Sequence, residues 1–189
     1  MHHYQTLFIR LFIFALIALT FVSTQEEAGY CGYDHKTYSS IEEAHNAGTK
    51  VMHCGPCGYC STTEDVDIYW KTKDNLTKTT RFCAIFGIFS KKLSKMCLDK
   101  LVKFTPDCST CWIDNIMCDT KKCMWICIWS LIKGEPYVDK DGKLNKCLQC
   151  DEDNCGPAFK KCAGANRRRT CIASDILRDK DLICKKCEK

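Results

Sequence analysis

The sequence predicts an all-α fold, a disulfide-rich helical scaffold of about five to seven short helices, and three observations predict it. Eighteen cysteines fall between Cys31 and Cys187, with none before them. From Ser61 onward apolar residues recur near the 3.6-residue helical period. No alternation of apolar and polar residues lasts long enough to mark a strand.

Residues 1–24 read as a signal peptide. Arg10 precedes an apolar run, Leu11 to Val22 (LFIFALIALTFV), and Ser23 and Thr24 lead to a cut near Gln25. The run is shorter than the roughly 20 residues that span a bilayer core. Its removal takes away only Arg10 of the 28 basic residues, against 23 acidic ones, and leaves a net charge of +4. That excess is too mild to imply a nucleic-acid partner, and none is expected. Lysine pairs at 91/92, 121/122, 160/161 and 185/186 alternate with acidic clusters, the pattern of a solvated surface of mixed sign.

In the mature chain of 165 residues (189 less 24), cysteine reaches about 11%, above the roughly 8–10% that marks a disulfide scaffold. Export and density together make all of them disulfide candidates: Cys31, Cys54, Cys57, Cys60, Cys83, Cys97, Cys108, Cys111, Cys118, Cys123, Cys127, Cys147, Cys150, Cys155, Cys162, Cys171, Cys184 and Cys187. Their even number leaves no thiol over, and spacing alone does not give the connectivity. The expected location is secreted or in the lumen of the secretory pathway.

Taken in order, residues 25–52 read as a loosely structured N-terminal arm, with a short helix opened by the capping-box pair Ser40 and Glu43. Residues 53–189 read as one disulfide-stapled helical domain. Its first helix is capped by Ser61 or Thr62, runs through Val66, Tyr69, Trp70, Leu76, Thr80, Cys83 and Ala84, and ends at Gly87. A second, Ser90 to Phe104, turns Leu93, Met96, Cys97, Leu101 and Phe104 inward and its lysines outward, and Pro106 closes it. A third spans Ser109 to Cys118. A fourth, capped by Thr120 and reaching Ile132, is apolar on every side (MWICIWSLI) and is expected at the centre of the core. Cys123 and Cys127 share one of its faces and are placed to bridge different neighbouring helices. Gly134 to Asn145 is a charged loop with an Asp141-Gly142 turn. A cysteine-dense helical stretch follows from Cys147 to Cys162, and a last helix runs from Ser174 toward Cys184.

Few constellations carry chemistry. Cys54-Gly55-Pro56-Cys57 is the tetrapeptide of dithiol exchange, where a helix N-terminus lowers one thiol's pKa. The strand and βαβ context of that chemistry is missing, and Cys60 adds a third thiol, so the CGPC reads as structural bridging first and as a redox site second. Five CxxC pairs (54/57, 57/60, 108/111, 147/150, 184/187) would suggest zinc in a reducing compartment; in an exported chain they do not, and no metal or other cofactor is expected. Arg167, Arg168 and Arg169 form a basic run in which two are expected to pair with Asp175 and Asp179, leaving one for ligand contact. Asn75-Leu76-Thr77 is a glycosylation sequon on an expected exposed helix face.

Three stretches together carry a resemblance. They are His53 to Ser61 (HCGPCGYCS) with Asp67-Ile68-Tyr69 and Leu76 to Thr80 (LTKTT); Cys108 to Cys118 (CSTCWIDNIMC); and Leu144 to Arg169 (LNKCLQCDEDNCGPAFKKCAGANRRR) leading to Ser174-Asp175-Ile176. They resemble an uncharacterised family of secreted cysteine-rich proteins of unicellular eukaryotes. The resemblance implies export and a shared fold and no mechanism. It also draws attention to Cys155 to Asp175, which holds more than bridge formation requires.

No nucleophile, base and orienter assemble, so the leading expectation is a non-enzymatic, disulfide-stabilised structural or interaction protein with a protein or glycan partner. Two rivals are a thiol-disulfide oxidoreductase using the CGPC, and a saposin-like lipid or membrane-surface binder using the lysine-rich helix from Ser90 to Phe104.

Overall fold

The computed structural model describes residues 29–177 and 179–188; the expected signal segment lies outside them. Eight α-helices and a small three-stranded sheet make up the described fold, so the all-α, disulfide-rich expectation holds apart from that sheet.

The sheet occupies the segment that reads as a loose arm. Strands β1 (Tyr30–Gly32), β2 (Thr37–Tyr38) and β3 (Val51–Cys54) pair antiparallel in the order β2-β1-β3, with Cys31 opposite both Thr37 and His53. Between β2 and β3, α1 (Ile41–Asn46) is capped as the sequence predicts, Ser40 accepting from the Glu43 amide. Tyr38, Ala44 and Val51 form a small core of their own. The chain's far end fastens this unit: Glu188 donates its amide to the Val51 carbonyl at 2.8 Å, and its carboxylate accepts from the Val51 amide at 2.7 Å. Strands of two to four residues are too short to show alternation. Their hydrogen bonds and the Cys31–Cys57 and Cys54–Cys184 bridges supply the order that periodicity does not announce.

The long first helix of the sequence reading is two, α2 (Thr63–Lys71) and α3 (Leu76–Gly87). The break falls at Thr72, Lys73, Asp74 and Asn75, of which all but Lys73 are poor helix formers, with the Thr72 hydroxyl bonding back to the Ile68 carbonyl. Thr62 caps α2, and the buried Asp65 carboxylate links that cap to the next corner by accepting from the Thr105 amide at 2.8 Å and hydroxyl at 2.7 Å. Helix α4 (Lys91–Leu101) follows. Pro106 opens α5 (Pro106–Lys122) rather than only closing α4, the N1 role for which its fixed φ and missing N–H suit it. Thr120 does not cap a new helix; it lies inside α5 and bonds to the Ile116 carbonyl.

After Cys123 the chain turns into α6 (Met124–Ile132), then the loop, α7 (Lys146–Asn154) and α8 (Gly156–Ala163). The helix expected from Ser174 to Cys184 is absent from the described residues except for a 3₁₀ turn, Lys180–Leu182; two of the bridges and the backbone of Arg168 hold this tail extended.

The main core packs α2, α3, α4, α5 and α8 around Tyr69, Leu76, Leu98, Ile113 and Ile172. Trp112 sits at its centre of aromatic contact. It stacks on Phe104, meets Phe159 edge-on, and donates its indole N–H to the Tyr69 hydroxyl at 3.0 Å, which itself donates to the Ala165 carbonyl. Burial holds the Tyr69 phenol protonated far above its usual range.

Two expectations about burial fail. In α4 the inward residues are Ser94 and Leu98, while Leu93, Met96 and Leu101 are exposed. In α6 only Ser130 is buried, and Trp125 and Trp129 are 76% and 59% exposed. The most apolar of the described helices is a surface helix.

Candidate functional site

The motifs that drew attention in the sequence meet one another. The loop 54–61 lies against the segment 162–169: the Tyr59 and Cys60 amides donate to the Cys162 and Ala163 carbonyls at 3.0 and 2.8 Å, and the Cys54 amide donates to the Arg169 carbonyl at 3.0 Å. Buried His53 fixes the loop from behind. Its Nδ1–H donates to the Cys54 carbonyl at 2.8 Å, and its Nε2 accepts from the Ser61 hydroxyl at 2.7 Å, whose oxygen accepts from the Gly58 amide. Burial first, and the Arg169 charge after it, bring the His53 pKa down to about 4, so the ring is neutral.

No CxxC pair closes on itself. Cys54 bridges to Cys184 and Cys57 to Cys31, while Cys60 bridges to Cys108. Cys83–Cys97 ties α3 to α4, Cys111–Cys162 ties α5 to α8, and Cys171–Cys187 closes the tail. Cys118–Cys155, Cys123–Cys150 and Cys127–Cys147 run down one seam. Cys123 and Cys127 were expected to reach different helices; both reach α7, which lies antiparallel beside α6. Every described cysteine is bridged. The CGPC is therefore no dithiol couple, and the sulfur cluster of Cys171, Cys184 and Cys187 has no thiolate to offer a metal. Nine bridges place the folded chain in an oxidising environment.

The arginines are internal. Arg167 pairs with Asp175, with its other arm on the Thr77 hydroxyl at 2.8 Å. Arg168 reaches Glu152 rather than Asp179, at 3.5 Å. Arg169, 6% exposed, donates to the Gly164 carbonyl at 2.9 Å. Each of the three closes a contact between segments, and Arg167 and Arg168 also reach the lining of a cleft. Of the sequon, Asn75 is exposed at the N-cap of α3, whereas Leu76 and Thr77 are buried.

A different place has the form of a site. Helices α3, α5, α6 and α7 enclose a cleft of about 250 Å³ that α3 follows from Thr77 to Ile88. At the Thr77 end its lining is polar, with Thr77, Thr80, Arg167 and Ser174. Its apolar lining is made by Ile85, Ile88, Ile116, Met124, Ile128 and Leu131, of which Ile85, Ile88 and Leu131 are exposed and form its lips. The volume lies just below the roughly 300–1,000 Å³ of small-ligand sites and suits one narrow chain. The cysteine seam sets its outer wall, since two bridges hold the solvent-facing α6 to α7.

The cleft's polar flank holds a carboxyl pair. Asp119 on α5 hydrogen-bonds to Asp151 on α7, and the Asn115 amide donates to Asp151 at 3.1 Å. Burial, then the neighbouring Asp151 charge, pushes the Asp119 pKa up to about 8, so the pair shares a proton at neutral pH. The sequence reading missed the cleft and this pair. One signal pointed to them: Asn115 and Asp119, four apart, fall on the same stripe of α5 as the apolar Ile116, where a carboxylate is out of place.

A family model described as a family of unknown function (DUF8771) matches residues 91–186, just over half of the chain. The chain belongs to this family. The DUF8771 match takes in α4 to α8, three walls of the cleft and the arginine run; α3, the sheet and the CGPC loop lie outside it. Two of the three stretches that carry the resemblance, 108–118 and 144–176, fall inside the match, and the one beginning at His53 falls outside. No curated protein and no solved structure matches the chain.

Proposed function

We propose that this DUF8771 protein is an exported, disulfide-stapled lipid-binding protein whose cleft takes the acyl chain of an amphipathic lipid. The observation that carries the reading is the placement of α6. A helix apolar on all sides is expected in a core, yet α6 stands at the surface as the wall of an apolar cleft. The amphipathic lining fits a ligand with one apolar and one polar end. A protein or glycan partner, expected from the sequence, would meet mostly aliphatic and aromatic side chains here.

Export is supported by the apolar run after Arg10 and by the bridges, and exposure of Asn75 is compatible with glycosylation of its sequon. Redox catalysis lacks its couple, because Cys54 and Cys57 belong to separate bridges.

The test is a titration of the oxidised protein with a fluorescent fatty acid, followed by displacement with an unlabelled one. Saturable, displaceable binding is expected, weakened about tenfold or more by Ile128→Glu, which puts a charge against the chain. Absence of saturable binding, or an unchanged affinity in the variant, overturns the reading.

A further inference from the structure

We infer that the rim of the cleft docks on an anionic lipid bilayer. This goes beyond ligand binding, because the residues involved lie outside the cleft. Phe89 is 79% exposed just past the end of α3, and Trp125 and Trp129 stand out from α6. Gly87 places the two groups together: a Cβ there would lie 3.5 Å from Ile116 and Thr120, so the end of α3 abuts the end of α5, one residue before Lys121 and Lys122. Phe89, the two exposed lysines and Trp125 thus occupy one end of the molecule. Lys133 follows at the far end of α6, its ammonium 5.4 Å from the Trp129 ring.

An apolar patch of this kind marks an interaction surface, and three features select its occupant. Tryptophan and lysine side by side match the bilayer interface, where the indoles lie at headgroup depth and the ammonium groups meet anionic lipid. A second copy docked through a two-fold axis would press Lys121 and Lys122 toward their own counterparts. At nine residues α6 is too short to cross a bilayer, and no described helix is long and apolar enough to do so, so α6 lies in the interface plane with the lips of the cleft beside it.

The experiment is flotation of the full oxidised chain with phosphatidylcholine vesicles, with and without phosphatidylserine. Anionic lipid is expected to raise partitioning at least about tenfold, and added salt to reverse the gain. The variant Phe89→Ser with Trp125→Ser is expected to lose that partitioning while keeping fatty-acid affinity, and Lys121→Glu with Lys122→Glu to lose only the preference for anionic vesicles. Equal partitioning to both vesicles, wild-type flotation of the aromatic variant, or a concentration-dependent dimer that shields the tryptophans overturns the inference. Loss of fatty-acid binding in Ile128→Glu with flotation intact would leave docking standing and bear on the cleft alone.

Discussion

Gly58 and Gly164 meet backbone to backbone. A Cβ on Gly58 would lie 2.5 Å from the Gly164 nitrogen, and one on Gly164 would lie 2.2 Å from the Gly58 nitrogen. Gly164 also holds φ +67°, where side chains other than hydrogen are disfavoured. Gly55 repeats the device beside them, with the Arg169 guanidinium 2.7 Å from the place of its Cβ. The glycines of HCGPCGYCS and CAGANRRR are thus two halves of one joint.

Either Gly58→Ala or Gly164→Ala should therefore cost about 3 kcal/mol or more, because backbone rather than a side-chain tip must give way. Oxidative refolding should yield mixed bridge isomers in both variants. Gly48→Ala is the control: it has the same sign of φ but open space around its Cβ, and it should lose only about 1 kcal/mol.

Alkylation and mass measurement check the bridges. The native protein should take no label, and the reduced protein should take eighteen, one for each cysteine. Under graded reduction no bridge should open between Cys54 and Cys57; the first peptides released should link Cys54 to Cys184 or Cys57 to Cys31 if this region opens at all. A Cys54–Cys57 peptide would contradict the connectivity.

The pH dependence follows from two buried groups of opposite sense. Asp119, raised to about 8, keeps a proton that the unfolded chain releases near its usual carboxylate value. Folding therefore takes up a proton between about pH 4 and pH 8, and stability falls as pH rises through that window, at most about 1.4 kcal/mol per pH unit. His53, lowered to about 4, stays neutral where the unfolded imidazole is charged, so its contribution is lost as pH falls below about 6.5. Above that value only Asp119 acts. Denaturant unfolding of the oxidised chain should show stability falling from pH 6.5 to 8, and Asp119→Asn should remove the fall and raise stability at pH 8. A slope unchanged in the variant would assign the effect elsewhere.

What the sequence made legible was mostly local. The caps at Ser40 and Thr62 and the helical class rest on neighbours within a few residues. The sheet was not legible, because Cys31 finds His53 only through folding. The split of α5 from α6 was legible but read three residues too early, because Thr120 looks like a cap and acts as a back-bonding side chain. The error over α6 has a general cause. Apolarity on every face signals burial only when the fold needs that helix for its core; here bridges to α7 hold it at the surface. Lys121, Lys122 and Lys133 around two tryptophans are the feature of the sequence on which the proposed membrane docking rests. CGPC was read as structural bridging ahead of a redox couple, and its two cysteines do belong to separate bridges; what spacing did not reveal was which partners they take.

The central claim is that the cleft between α3 and α6 holds an acyl chain, and the most direct measurement is photolabelling with a diazirine-bearing fatty acid followed by peptide mapping. The account predicts label on Ile85, Ile88, Ile116, Ile128 or Leu131, suppressed by excess unlabelled fatty acid. Label confined to exposed apolar residues away from the cleft, such as Leu177 and Leu182, or label that competitor does not reduce, would contradict it.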